Sequence, residues 1–183
     1  MRKKKINQGF TLIEIIIVII VIAILGGVSA EIIGNASRIY SSTITKHKFL
    51  KQARYSFSKL KREITWQKKG QNFSGSNSKN INIISTEGRS FDYGITSSNK
   101  LIYSNDQIQN ANNITIADNL EYDNSEIYFL DYSGNVVDPS FSSHLVKFVK
   151  LDFFYKDINH NIRLTGYSLP YNLRLGNAMS YHD

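Results

Sequence analysis

Residues 10–30 read FTLIEIIIVIIVIAILGGVSA, an apolar run broken only by Thr11, Glu14, Ser29 and the pair Gly26 and Gly27. About 20 such residues wound as a helix match the hydrocarbon thickness of a bilayer, so the run reads first as a membrane-spanning helix. Four basic residues, Arg2, Lys3, Lys4 and Lys5, precede it with no acid among them. The positive-inside rule holds such a cluster in the cytoplasm and places the remainder of the chain across the membrane. An ordinary cleaved secretory signal also begins with a basic region and an apolar stretch. Its core is shorter, at about 7–15 residues, it ends in a small-x-small site that is missing here, and it carries no early carboxylate. Glu14 is that carboxylate. An acid within a span costs roughly 2.5–3.5 kcal/mol near the helix centre and less near the end, so Glu14 is expected to have a partner.

The run Lys5-Ile6-Asn7-Gln8-Gly9-Phe10-Thr11-Leu12-Ile13-Glu14 resembles the processing motif of type IV prepilins and type II secretion pseudopilins. The resemblance implies cleavage by prepilin peptidase between Gly9 and Phe10, N-methylation of Phe10, and loss of the basic leader 1–9. It also implies a structural subunit of a type IV pilus or a type II secretion pseudopilus, working with other pilins and an inner-membrane assembly platform. Glu14 of an incoming subunit would pair with the Phe10 amine of a neighbour, an attraction strengthened by low dielectric. Gly26 and Gly27 either permit close helix approach or form a flexible point in the span. No proline occurs between Phe10 and Lys69. Many major pilins carry one there, which favours a minor subunit, and Glu14 argues against the extreme tip position, whose subunit in this family commonly lacks that acid.

Beyond the span the apolar residues become periodic. Ile32, Ile33, Ala36, Ile39, Tyr40 and Ile44 are followed by Leu50, Ala53, Phe57, Leu60 and Ile64, a spacing that predicts one helix face continuing over 31–69, with Gly70 as its stop. At 1.5 Å per residue, 10–69 would span roughly 90 Å. The segment 38–69 holds ten Lys or Arg against a single acid, Glu63, whereas 70–183 holds eight against twelve acids. The basic surface is read as a solvated face, or one meeting acidic lipid head groups or acidic neighbours. A DNA-uptake or ligand-binding minor pilin is the alternative. Tyr55 and Trp66 read as core or interface residues.

The remaining 70–183 reads as an extracytoplasmic α+β head, a small, mostly antiparallel sheet packed on the second half of the helix. Residues 71–80 form a Gly, Ser and Asn-rich loop. Segments 81–86, 89–95, 100–104, 126–132, 144–155 and 161–169 predict strands, with Ser133-Gly134-Asn135 and Asn159-His160-Asn161 as turns. The ending from Gly166 to Leu175 and the stretch from Leu60 to Ile64 also look like those of J-type minor pseudopilins.

Chemistry is sparse. No cysteine is present among the 183 residues, which excludes a disulfide framework, thiolate metal sites and a cysteine nucleophile. Asp118, Glu121, Asp123 and Glu126 are calcium candidates, since calcium takes about six to eight oxygens; a solvated acidic loop is the competing reading. Asp157, Asn159 and Asn161 imitate the start of an EF-hand loop without its glycine and distal glutamate, and read as a hairpin turn. His47, His144, His160 and His182 show no zinc spacing. The chain reads as the substrate of an enzyme and not as one itself.

Overall fold

The computed structural model describes residues 11–68, 73–85, 87–105 and 113–170. Helix α1, Leu12–Thr65, is 54 residues long. No proline interrupts it, and the Ser/Thr stretch in its middle is accommodated because Thr43 Oγ1 donates to Ile39 O (2.8 Å) and Thr45 Oγ1 to Ser41 O (3.0 Å). The helix was expected to run to Lys69, but it ends at Thr65. Trp66 N and Gln67 N bond three residues back, to Glu63 O and Ile64 O, tightening the last turn. The chain is then captured by a strand end: Lys68 N donates to Ile84 O (2.8 Å), and Gln67 Oε1 accepts from Ile84 N (2.8 Å). Lys69 and Gly70 lie outside the described residues.

The chain divides into two compact units, Met1–Lys46 and His47–Asp183. The first is described as helix alone. Its side chains from Thr11 through Thr43 are all exposed, so none of its described residues covers the apolar run.

Among the described residues the second unit holds the rest of α1 and seven strands. β1 (Asn80–Ile84), β2 (Ser90–Thr96), β3 (Lys100–Asn105) and β4 (Ile114–Ala117) form one antiparallel meander, and β5 (Glu126–Leu130), β6 (Phe148–Lys156) and β7 (Asn161–Ser168) form another. Alternation supplies the core: Ile81, Ile83, Tyr93, Ile95 and Leu101 from the first sheet meet Val149, Leu151, Phe153 and Tyr155 from the second, around Ala53, Leu60 and Ile64 of α1. Each fully buried large side chain is worth about 1.5–3 kcal/mol of transfer free energy. Residues 78–79 join the sheets, because Ile127 N donates to Ser78 O (2.9 Å) and Ile95 N to Lys79 O (2.8 Å).

The α+β architecture with antiparallel sheets agrees with the sequence reading, with four local differences. The head contains two sheets and includes β4, four residues flanked by Asn and Asp that no strand signal marked. The strand expected from His144 begins only at Phe148, because Asp138 caps a helical turn, α2 (Pro139–Ser142), by accepting from Ser140 N at 2.9 Å. The strand expected to reach Tyr132 stops at Leu130, since Asp131 accepts from Ser133 N (2.8 Å) and Asn135 N (2.9 Å) and starts the turn. Phe73 and Ser76, within the loop expected to be exposed, are buried, and Phe73 packs on Phe129 at a ring distance of 5.5 Å.

Candidate functional site

α1 begins with a reciprocal cap. Thr11 precedes the first helical residue, and Glu14 stands three residues later, the spacing of a capping box. Glu14 Oε2 accepts from Thr11 N (2.8 Å) and from Thr11 Oγ1 (2.9 Å), while Thr11 Oγ1 accepts from Glu14 N at 3.4 Å. The carboxylate therefore lies over the positive end of the helix, where unpaired N–H groups and the helix dipole favour negative charge. Its second oxygen, Oε1, accepts nothing from the described residues. The Thr-x-x-Glu signature was present in the sequence, and the apolar run that follows masks it as ordinary span. Gly9 and Phe10 lie outside the described residues.

From Leu12 onward α1 is long and apolar enough to cross a membrane, and none of that window is buried. Cβ atoms built at Gly26 and Gly27 would meet nothing, so the glycines leave an uncovered notch in an uncovered surface. Ile32, Ile33, Ile39 and Tyr40 are likewise exposed. The apolar surface gains no burial from the described residues, which makes lipid or other chains its natural partners.

The four acids are not gathered into one site. Asp118 accepts from Gln52 Nε2 at 3.4 Å, Glu121 pairs with Lys156 Nζ at 3.3 Å, Glu126 lies 3.9 Å from Lys79 Nζ, and Asp123 is exposed. The amide of Asn124, followed by Lys156, holds the Glu121 carboxyl below the usual range. Among the described residues no three His, Cys, Asp or Glu side chains stand where they could share a metal ion. Residues 157–160 form the expected hairpin turn, with Asp157 N donating to His160 O at 2.7 Å.

Three residues with structural roles escaped the sequence reading. Lys79 donates to Tyr122 O and Ser125 O, both at 2.7 Å, and ties the acidic loop to β1. Asp152 and Arg163 form a bidentate pair, Nε and Nη2 each at 2.7 Å, with Thr165 Oγ1 adding a bond at 3.0 Å. An acid inside the apolar strand FVKLDFFYK was the available signal. Tyr55 and Trp66 are not core: they are 60% and 52% exposed.

Residues 4–30 match the family model described as the prokaryotic N-terminal methylation motif. No curated protein matches the chain, and no solved structure does.

Proposed function

We propose that this chain, which carries the type IV pilin-like signal, is a minor structural subunit of a type II secretion pseudopilus or a type IV pilus. The observation that carries the reading is the conjunction of that motif with an apolar helix that no described residue buries and a carboxylate at its start with one oxygen that accepts nothing from the described residues. Prepilin peptidase removes residues 1–9 by cutting between Gly9 and Phe10 and methylates Phe10. The helix anchors the subunit in the inner membrane with its head on the extracytoplasmic side. On assembly, Glu14 Oε1 takes the Phe10 amine of a neighbouring subunit while Oε2 stays on Thr11, so docking does not require the cap to open. In hydrocarbon an amine without that carboxylate is strongly disfavoured, which makes the pair a register device for subunits leaving lipid.

Mass spectrometry of the mature protein, cross-linked to its neighbours in native membranes, tests this directly. A methylated Phe10 terminus beside pseudopilins assigns a secretion pseudopilus, and the same terminus beside a major pilin assigns a pilus. An intact Met1 terminus with no pilin-like neighbour refutes both. Glu14→Ala should leave cleavage intact and lower incorporation at least tenfold, the equivalent of ~1.4 kcal/mol.

One observation favours a second reading, polyanion binding. Tyr55, Ser58, Lys59 and Arg62 line an open depression of about 190 Å³ on the exposed side of α1, and Lys59 Nζ stands 4.1 Å from the Tyr103 ring centroid. Basic groups interleaved with exposed aromatics suit a nucleic-acid backbone and its bases. Binding to DNA that weakens with salt and is lost in Lys59→Glu/Arg62→Glu, with incorporation intact, would establish it.

A further inference from the structure

The β6–β7 hairpin closes with a mutually bonded pair, Asp157 and His160. In an antiparallel ladder bonded and unbonded pairs then alternate, so Ile162, Leu164, Gly166 and Ser168 turn their backbone groups toward β6. Arg163, Thr165 and Tyr167 turn theirs away. β7 is an edge strand, and no described residue bonds those outward N–H and C=O groups.

Edges of this length are usually guarded by proline, a bulge or a projecting charge. β7 has unbroken register and no proline or lysine. Its one charged residue, Arg163, is folded back onto the sheet face by Asp152. Among the described residues nothing else guards this edge, whose side chains at Asn161, Arg163, Thr165 and Tyr167 are exposed while Ser168 is buried.

Two features flank it. On the outer face, a groove of about 370 Å³ lined by Leu130, Tyr132, Phe148 and Tyr167 reaches the edge at Tyr167. On the helix side, Lys61 Nζ lies 3.9 Å from the position a Gly166 Cβ would take, and no acid among the described residues lies within ion-pair distance of it.

We propose that the β7 edge docks an extended acidic segment of another protein chain, which adds as a fourth strand to this sheet and seats one apolar side chain in the groove. The outward backbone groups of Arg163, Thr165 and Tyr167 supply the affinity, and alternate side chains supply specificity. Side chains on one face of the incoming strand meet Lys61 and the strongly basic helix, so they are acidic. The chain's own segment 171–183 is a poor complement, because Arg174 stands in it and Asp183 is its sole acid. The inference does not depend on the filament reading and holds for the isolated protein.

The test uses full-length protein in detergent micelles, with a short peptide of alternating valine and glutamate carrying one phenylalanine, and its counterpart with lysine for glutamate. The acidic peptide should slow amide exchange at Arg163, Thr165 and Tyr167 by about tenfold or more, while Leu164 and Gly166, already bonded to β6, change little. Lys61→Glu should transfer the effect to the lysine peptide. Tyr167→Ala should weaken it through the groove alone. The proposal fails if both peptides act equally on the native protein or neither acts. It also fails if the three amides are already protected without peptide, since the chain would then cover its own edge.

Discussion

At the scale of single residues, two buried tyrosines present opposite tests of the same rule. Tyr155 Oη lies 2.8 Å from Ser56 Oγ, which itself donates to Ala53 O at 3.0 Å, so the tyrosine hydroxyl has a fixed acceptor. Tyr93 Oη is buried with no partner among the described residues. Burial pushes both phenols well above their ordinary range, helped at Tyr93 by the charge of Glu63, so both remain protonated donors. Tyr155→Phe should cost about 1 kcal/mol, whereas Tyr93→Phe should be neutral or stabilising by up to ~1 kcal/mol. Chemical denaturation of the two variants decides it, and a Tyr93→Phe loss as large as that of Tyr155→Phe would mean the Tyr93 hydroxyl has a partner. Asp152 gives a pH signature. Hydrogen bonding from Arg163, then from Thr165, lowers its folded pKa. A carboxyl lowered on folding stabilises fully above its unfolded pKa, about 3.9, and that contribution fades as pH falls through the lower folded value. Asp152→Asn should therefore cost about 1–2 kcal/mol near neutral pH and less under acid, where wild type loses the same term; a pH-independent difference would assign the cost to packing.

At the scale of elements, β7 lies on α1 through a place where a side chain is missing. A Cβ on Gly166 would come within 3.0 Å of Phe57 Cζ, and Phe57 is held edge-on against Phe153 with ring centroids 5.8 Å apart. Gly166→Ala should lose about 1–3 kcal/mol from overpacking, read as a lowered thermal midpoint, and the double variant Gly166→Ala/Phe57→Leu should recover part of it if this contact is the cause. The α1 start behaves differently. Thr11→Ala removes the side-chain half of the cap but leaves Thr11 N on Glu14, so incorporation should fall less than in Glu14→Ala. An equal fall would make the hydroxyl as necessary as the acid.

At the scale of the molecule, the two units differ in what holds them. The described residues of the first form no core of their own, and those of the second form a contiguous one. A fragment beginning at His47 should therefore stay soluble without detergent and unfold cooperatively by circular dichroism; a broad, non-cooperative transition would mean the core needs the preceding helix. The sequence by itself determined the long helix, its uncovered apolar run and the processing motif, because these depend on local composition, periodicity and spacing along one element. It also determined an antiparallel head, since alternation and turn chemistry are local signals. Only the tertiary structure decided that α1 stops at Thr65, where Gln67 and Lys68 find strand partners, and that Phe73 turns inward while Trp66 and Tyr55 turn outward. The same holds for the dispersal of Asp118, Glu121 and Glu126 onto separate partners and for the pairing of Asp152 with Arg163. Each of these is set by a residue distant in sequence, and no local pattern records which distant group will be near enough to bond.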